Sequence, residues 1–186
     1  MEGRIVYFDR AGQENTDETL RIARQRAGEL GIRTILVAST TGELALKSID
    51  VLKGFRVIAV SHSTNFDGPN FQKFPDDKQV LFKSQGGVIL TATHIFAGIG
   101  RAMRNKFHVY SYTEMISNTL RIFGEGMKVV CEIAMMAADA GLVRTDEDVI
   151  AVAGTGRGAD TAVVVKPVAS HEFFAIKVKE ILCKPR

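Results

Sequence analysis

The sequence predicts an α/β fold: a three-layer α/β/α sandwich on a mostly parallel sheet with an antiparallel closing pair. Three observations predict it. Short apolar runs alternate with amphipathic stretches, the pattern of strands joined by crossover helices. The late runs Val149–Ala153 and Thr161–Val165 are separated only by a Gly-rich turn, and so short a connection joins antiparallel neighbours. The chain has 186 residues, 46% of them apolar and 24% charged, which suits one domain with a full core.

Each element follows from local pattern. Ile5–Phe8 is a short strand. Asn15 with Glu18 is a capping-box spacing for a helix from about Asp17 to Leu30. Leu20, Ala23, Ala27 and Leu30 form its apolar stripe, and Gly31 its C-cap. Thr34–Ala38 is the second strand, and Ser39-Thr40-Thr41-Gly42 turns into a helix ending near Gly54. Arg56–Val60 is the third strand. Ser61–Asp77 is a long loop with an Asp67-Gly68-Pro69 turn, and long loops are often functional. Asp76 with Gln79 caps a helix to about Ser84. Val88–Thr91 is the fourth strand. A helical block, Ile95 to Ala140, is divided in two by Gly124-Glu125-Gly126, and Ser111 with Glu114 offers a further capping box. Met127, Val130, Cys131, Ala134 and Ala138 make a core-facing stripe. Lys177–Cys183 alternates as an edge strand. The reading is one domain over residues 1–186, with a core from about 5 to 167 and a C-terminal extension over 168–186.

Composition excludes several classes. There are 24 basic and 21 acidic residues and no basic block, so nucleic acid is not an expected partner. The two cysteines, Cys131 and Cys183, read as reduced thiols of a cytoplasmic protein. The first residues lead straight into a strand, without a signal-peptide pattern. No apolar run reaches the about 20 residues of a membrane span. No metal-ligand spacing of Cys and His occurs, and no metal is expected. Met103, Met115, Met127, Met135 and Met136 offer adaptable apolar surface, for a core or for a homo-oligomer.

The richest motif is Gly154-Thr155-Gly156-Arg157-Gly158-Ala159-Asp160-Thr161. Its glycines allow positive φ and close approach to a ligand, and successive amides in such a turn make a concavity for anions. Arg157 adds a guanidinium suited to phosphate, and Thr155 and Thr161 add hydroxyls. Asp160 is expected to fix the loop by accepting backbone N–H groups. The start resembles a dinucleotide fingerprint, but Ala159 stands at the third Gly position and a strand follows. In open α/β sheets ligands sit beyond the carboxyl ends of parallel strands. Ser39, Thr40, Thr41 and Gly42 follow strand two and open a helix, where amides and dipole favour an anion. One hydroxyl suffices for capping; three point to a ligand. Ser61, His62 and Ser63 follow strand three, and Thr91, Thr93 and His94 follow strand four. Either histidine would donate to a phosphate or a ligand carbonyl. The sequence carries no Walker loop, nucleophile elbow or paired catalytic carboxylates.

The order of elements, Ile35-Leu-Val-Ala-Ser-Thr-Thr-Gly42 and Arg157-Gly-Ala-Asp-Thr-Ala-Val-Val164 together resemble the carboxy-terminal α/β domain of pyruvate kinase, and most closely the small free-standing proteins similar to it. The resemblance runs from Ile5 to about Pro167. In the full enzyme this domain is regulatory and binds a sugar bisphosphate at a helix-opening Thr/Ser turn and a Gly-rich loop. By resemblance Ser39, Thr41 and Gly42 match the turn, and Gly156 and Gly158 the loop. The family turn is basic where this chain has Thr40 and Glu43. Glu43 disfavours a second phosphate by about 1 kcal/mol. Free-standing relatives look like binders of flavin mononucleotide (FMN); Phe66, Phe71 and Phe74 of the long loop either lie over such a ring or, as loop phenylalanines more often do, anchor the loop to the core. The resemblance therefore implies a phosphorylated small molecule, FMN above all, as cofactor. It leaves open a flavin-dependent oxidoreductase, with His62 or His94 as proton donor, and a sugar-phosphate sensor acting through a protein partner. The pyruvate kinase barrel does not fit in this length, so no pyruvate kinase activity is expected.

Overall fold

The computed structural model describes residues 3–186. Seven strands form one sheet: β1 (Val6–Phe8), β2 (Thr34–Ala38), β3 (Arg56–Ser61), β4 (Val88–Thr91), β5 (Val149–Ala153), β6 (Thr161–Lys166) and β7 (Lys177–Pro185). Their order is β1-β7-β6-β5-β2-β3-β4. Six α-helices accompany them: α1 (Thr16–Leu30), α2 (Glu43–Val51), α3 (Asp76–Ser84), α4 (Gly98–Phe107), α5 (Tyr112–Arg121) and α6 (Glu125–Asp139). A single 3-10 turn occupies Gln13–Asn15, and two 3-10 turns joined by a kink at Glu172 occupy Ser170–Ala175.

β5, β2, β3 and β4 run parallel, as do β1 and β7. β6 runs against both of its neighbours, which gives the expected closing pair and a second antiparallel ladder to β7. β7 is therefore not an edge strand. It lies between β6 and β1, so residues expected to form an extension complete the sheet, and β1 and β4 are the edges.

Two apolar cores cover the two faces of the sheet. On one, Leu20, Ala23 and Ala27 of α1 and Leu44 and Ala45 of α2 pack on Ile35, Val37 and Val152. On the other, Met127, Val130, Cys131 and Ala134 of α6 pack on Leu36, Ile58, Ala151 and Val163. The central strands are buried on both faces, as parallel strands under two helical layers must be. Leu30 of the predicted stripe, the last residue of α1, is 42% exposed.

Three local expectations need correction. Asn15 does not close a capping box: it is already helical, and its Nδ2 donates to the carbonyls of Arg10 and Gly12. Asp76 is not the cap of α3, which starts after Pro75, although Gln79 does bond back to the Phe74 carbonyl at 2.8 Å. The block before β5 holds three helices, because His108 turns left-handed and Ser111 starts α5 with the expected capping box. Gly31 is the left-handed cap of α1, as its position implied.

Candidate functional site

The carboxyl ends of β5, β2, β3 and β4 lie side by side, so the loops after them form one continuous edge. Val37 pairs with Val152 and Ala38 with Val60, which places the turn after β2 between the ends of β5 and β3. Ser61 pairs with Thr91, which carries the row on to β4.

At the β2 end the site is built from backbone. The N-cap of α2 is Gly42, which has no side-chain bond to give, and the buried Ser39 Oγ three residues before it accepts the Ala45 amide at 3.1 Å instead. Gly42 lies at φ +84, where an L side chain is strained, and an added Cβ would also overlap the Phe74 ring. Thr40 is half-buried and Thr41 exposed. The amides of Thr40, Thr41, Gly42, Glu43 and Leu44 find no acceptor among the described residues. They open α2, where the helix dipole adds a partial positive charge. Glu43 does not stand alone: Lys78 of α3 forms an ion pair with it, which offsets the repulsion expected toward a second phosphate.

The Gly-rich loop beside this turn is held by one carboxylate. Asp160 is fully buried and accepts the Gly12 amide at 3.0 Å, the Thr155 amide at 3.1 Å and the Thr161 hydroxyl at 2.8 Å. The Thr16 hydroxyl of α1 accepts the Ala159 amide at 3.0 Å. Gly156 and Gly158 both have positive φ. A Cβ at Gly158 would strike Thr16 and Gln13, and one at Gly154 would strike the Gly158 carbonyl. Gly126 in the first turn of α6 packs against Asp160 and Thr161, with no room for a side chain. The loop is thus clamped between the N-terminal turns of α1 and α6. The Gly156 and Gly158 amides remain without an acceptor among the described residues, and the Arg157 side chain lies in solvent beside them.

The β4 end is different. The rings of His62 and His94 meet edge-on at 4.6 Å, and Phe66 lies 4.4 Å from His62. The Arg101 guanidinium stacks over Phe66 at 4.6 Å. Below them the buried Glu132 accepts the Phe96 amide at 3.0 Å and Lys128 Nζ at 2.5 Å, with His94 Nδ1 at 3.8 Å. Burial pushes the His62 imidazole down to about 4, helped by repulsion from His94, and burial also lowers His94. Both rings are therefore neutral at neutral pH. His62 Nδ1 is buried without a partner among the described residues. A cavity of about 80 Å³ opens next to His94, lined by Arg101, Arg104, Arg121, Lys128, Ser117 and Asn118.

Ser61 is buried and bonds to Gln72 at 3.4 Å; Thr91 and Thr93 are exposed. Of the loop phenylalanines, Phe74 is core and Phe71 is exposed, so Phe66 alone lies beside the histidines. The sequence reading missed Arg101, Lys128 and Glu132. A Lys and a Glu four residues apart inside an apolar helical stripe are the available signal for the last two. A wider groove of about 970 Å³ lies elsewhere, between α1 and β7. It is lined by side chains such as Arg26 and Glu180, already paired at 2.7 Å, and touches none of the edge loops. Among the described residues no helix is long and apolar enough to cross a membrane, and no group of His, Cys, Asp and Glu is placed to hold a metal.

An open α/β domain with donors aligned along the carboxyl edge of its sheet is the class this geometry defines. Its family follows from comparison: the model of the pyruvate kinase alpha/beta domain matches residues 17–165, so the chain belongs to that family. Two solved structures are similar in part. A Cryptosporidium parvum pyruvate kinase in complex with ADP aligns at 16% identity and a TM-score of 0.38, over 82% of this chain and 23% of the enzyme. Another pyruvate kinase from that organism aligns at 14% identity and a TM-score of 0.41, over 82% and 23%. The chain thus spans about a quarter of the length of these enzymes.

Proposed function

We propose that this domain binds a phosphorylated small molecule, and that FMN is the ligand. The observation that carries the reading is the set of backbone donors without acceptors among the described residues: Thr40 to Leu44 at the start of α2, beside Gly156 and Gly158 on the adjoining loop. Such donors cost free energy if buried unpaired, and a phosphate satisfies several at once. The Thr40 and Thr41 hydroxyls and Arg157 complete the anion shell. From β5 to β4 the edge spans three strand spacings, about 14 Å. That length accommodates a phosphate at the α2 turn and a flat ring toward Phe66, His62 and His94. His62 is neutral, and its ring, packed against Phe66 and His94, offers an apolar flank to such a ring.

The test is the absorption spectrum of the purified protein before and after denaturation, followed by titration with FMN. Flavin bands, or saturable binding by added FMN, support the reading. A colourless protein that binds neither FMN nor inorganic phosphate rejects it. Arg157→Ala should weaken FMN by roughly 1.5–3 kcal/mol if the guanidinium meets the phosphate.

A second reading has one observation in its favour. Because Lys78 matches the charge of Glu43, the turn also tolerates a sugar bisphosphate, and the domain would then act as a sensor. Competition of FMN with a sugar bisphosphate in the same titration separates the two. Redox turnover remains a further proposal on the flavin reading: bleaching of bound flavin by NADH or NADPH supports it. The catalytic domain of pyruvate kinase is outside the matched family, and we expect no pyruvate formation from phosphoenolpyruvate and ADP.

A further inference from the structure

The small cavity beside His94 is rich in hydrogen-bond donors, while the side-chain oxygens on its wall are already taken. It encloses about 80 Å³ between the loop after β4 and the helices α4, α5 and α6. Four cations line it: Arg101, Arg104, Arg121 and Lys128. Glu114 is the one carboxylate on the wall, and both its oxygens are engaged, by Arg104 at 2.9 Å and by the Ser111 amide at 3.2 Å. The Ser117 Oγ and Asn118 Oδ1 accept Arg121 Nη1 at 3.0 and 2.9 Å. Donors are left over. The Lys128 ammonium carries three N–H groups, and among the described residues only Glu132 Oε2 accepts one, although the side chain is 9% exposed. Arg121 Nη2 and Asn118 Nδ2 have no acceptor among the described residues. Arg101 has no carboxylate partner among them either, its guanidinium lying over Phe66. Unmatched donors in a partly closed site cost free energy, and a group made only of acceptors relieves that cost.

We propose that this cavity is a binding site for a short-chain monocarboxylate, held by Arg101, Arg121 and Lys128. A carboxylate is acceptor-only, and its two oxygens match the planar fork of a guanidinium. Size limits the rest of the molecule. A water takes about 30 Å³ of liquid, so a cavity of about 80 Å³ has room for the carboxylate and one or two further carbons. Phe96 and Ala97 give those carbons an apolar wall. A flavin ring does not fit. Charge selects among small anions. The four cations stand against three carboxylates, Glu114, Glu125 and Glu132, which leaves one positive charge unmatched. A monocarboxylate balances that charge. A phosphate dianion would leave a negative charge uncompensated beside buried Glu114 and Glu132, which is unfavourable. The site does not rest on the FMN reading, whose phosphate lies at the β2–β5 end of the edge.

The test is a titration of the full chain with sodium acetate, at constant ionic strength and without added flavin, followed by amide chemical shifts. The amides of Phe96, Ala97, Ser117 and Asn118 should shift saturably with a Kd of about 1 mM, which a ligand of four non-hydrogen atoms is able to supply. Acetamide has the same shape without the charge and should shift none of them. Asn118→Asp places a second carboxylate on the wall and should weaken acetate at least about tenfold, as should Arg101→Gln by removing a charged donor. Both side chains are exposed, so circular dichroism of the variants should match the wild type. No saturable response at these amides overturns the proposal. So does an equal response to acetamide, tighter binding of inorganic phosphate at the same amides, or an undiminished response in Asn118→Asp. Asn118 is not part of the proposed FMN site, so an FMN titration of that variant distinguishes failure of this proposal from failure of the FMN reading.

Discussion

The two ends of the carboxyl edge solve the problem of presenting polar groups in opposite ways. At the β2–β5 end the donors are backbone amides, and a single buried carboxylate, Asp160, fixes the loop that bears them. At the β4 end the polar groups are side chains, His62, His94, Lys128 and Glu132, sunk among phenylalanines. Backbone donors are rigid and cannot lose their charge pattern with pH. Buried side chains are titratable and strongly coupled to folding. The comparison teaches that the first end is suited to hold an anion constantly, and the second to respond to what lies beside it.

The largest effect should follow from breaking the β4 end. Lys128→Ala leaves Glu132 buried without its cation, and unfolding in urea should show a loss of about 3–5 kcal/mol. Replacing both, by Lys128→Met with Glu132→Leu, should recover most of that loss, because the uncompensated charge is then gone. Next comes the loop. Asp160→Ala strands the Gly12 and Thr155 amides and the Thr161 hydroxyl, which should cost about 3 kcal/mol in the same assay and abolish FMN binding. Gly42→Ala forces a side chain into positive φ and against Phe74. A loss of about 2 kcal/mol is expected, again with loss of ligand.

Smaller effects distinguish the ends by pH. The unfolded chain protonates His62 below its ordinary value of 6.5, whereas the folded protein keeps it neutral down to about 4. The unfolded state therefore binds more protons in that window, and stability should fall as pH drops from 6.5 to 4, then level off. His62→Phe should flatten the slope in a melting-temperature series. Smallest of all, Arg157→Ala should leave stability within about 0.5 kcal/mol, because the side chain lies in solvent.

The sheet was legible because buried strands of an α/β domain are continuous apolar runs, and Thr34–Ala38 and Val149–Ala153 are such runs. The Gly-rich loop and the role of Asp160 were legible too: glycine spacing and a lone carboxylate limit what a short turn does. The position of β7 was not. Its alternation of Lys and Glu with Val, Ile and Leu describes any strand with one wet face, and only tertiary pairing with β1 covers its second edge. The β4 cluster was half legible. His62 and His94 stood out by position, but Lys128 and Glu132 lay in an apolar stripe, and their burial depends on Phe96 arriving from a distant loop. The break between α4 and α5 was only half legible: the Ser111–Glu114 capping box marked the start of α5, but His108 takes a left-handed turn that sequence normally signals with Gly or Asn.

The measurement that bears most directly on the central claim compares FMN with riboflavin, which lacks the phosphate, in parallel fluorescence titrations. If the amides of α2 and the Gly-rich loop hold a phosphate, FMN should bind at least about tenfold tighter, and Asp160→Ala should erase the difference. Equal affinities for the two flavins, or none for either, would contradict a phosphate site at this edge.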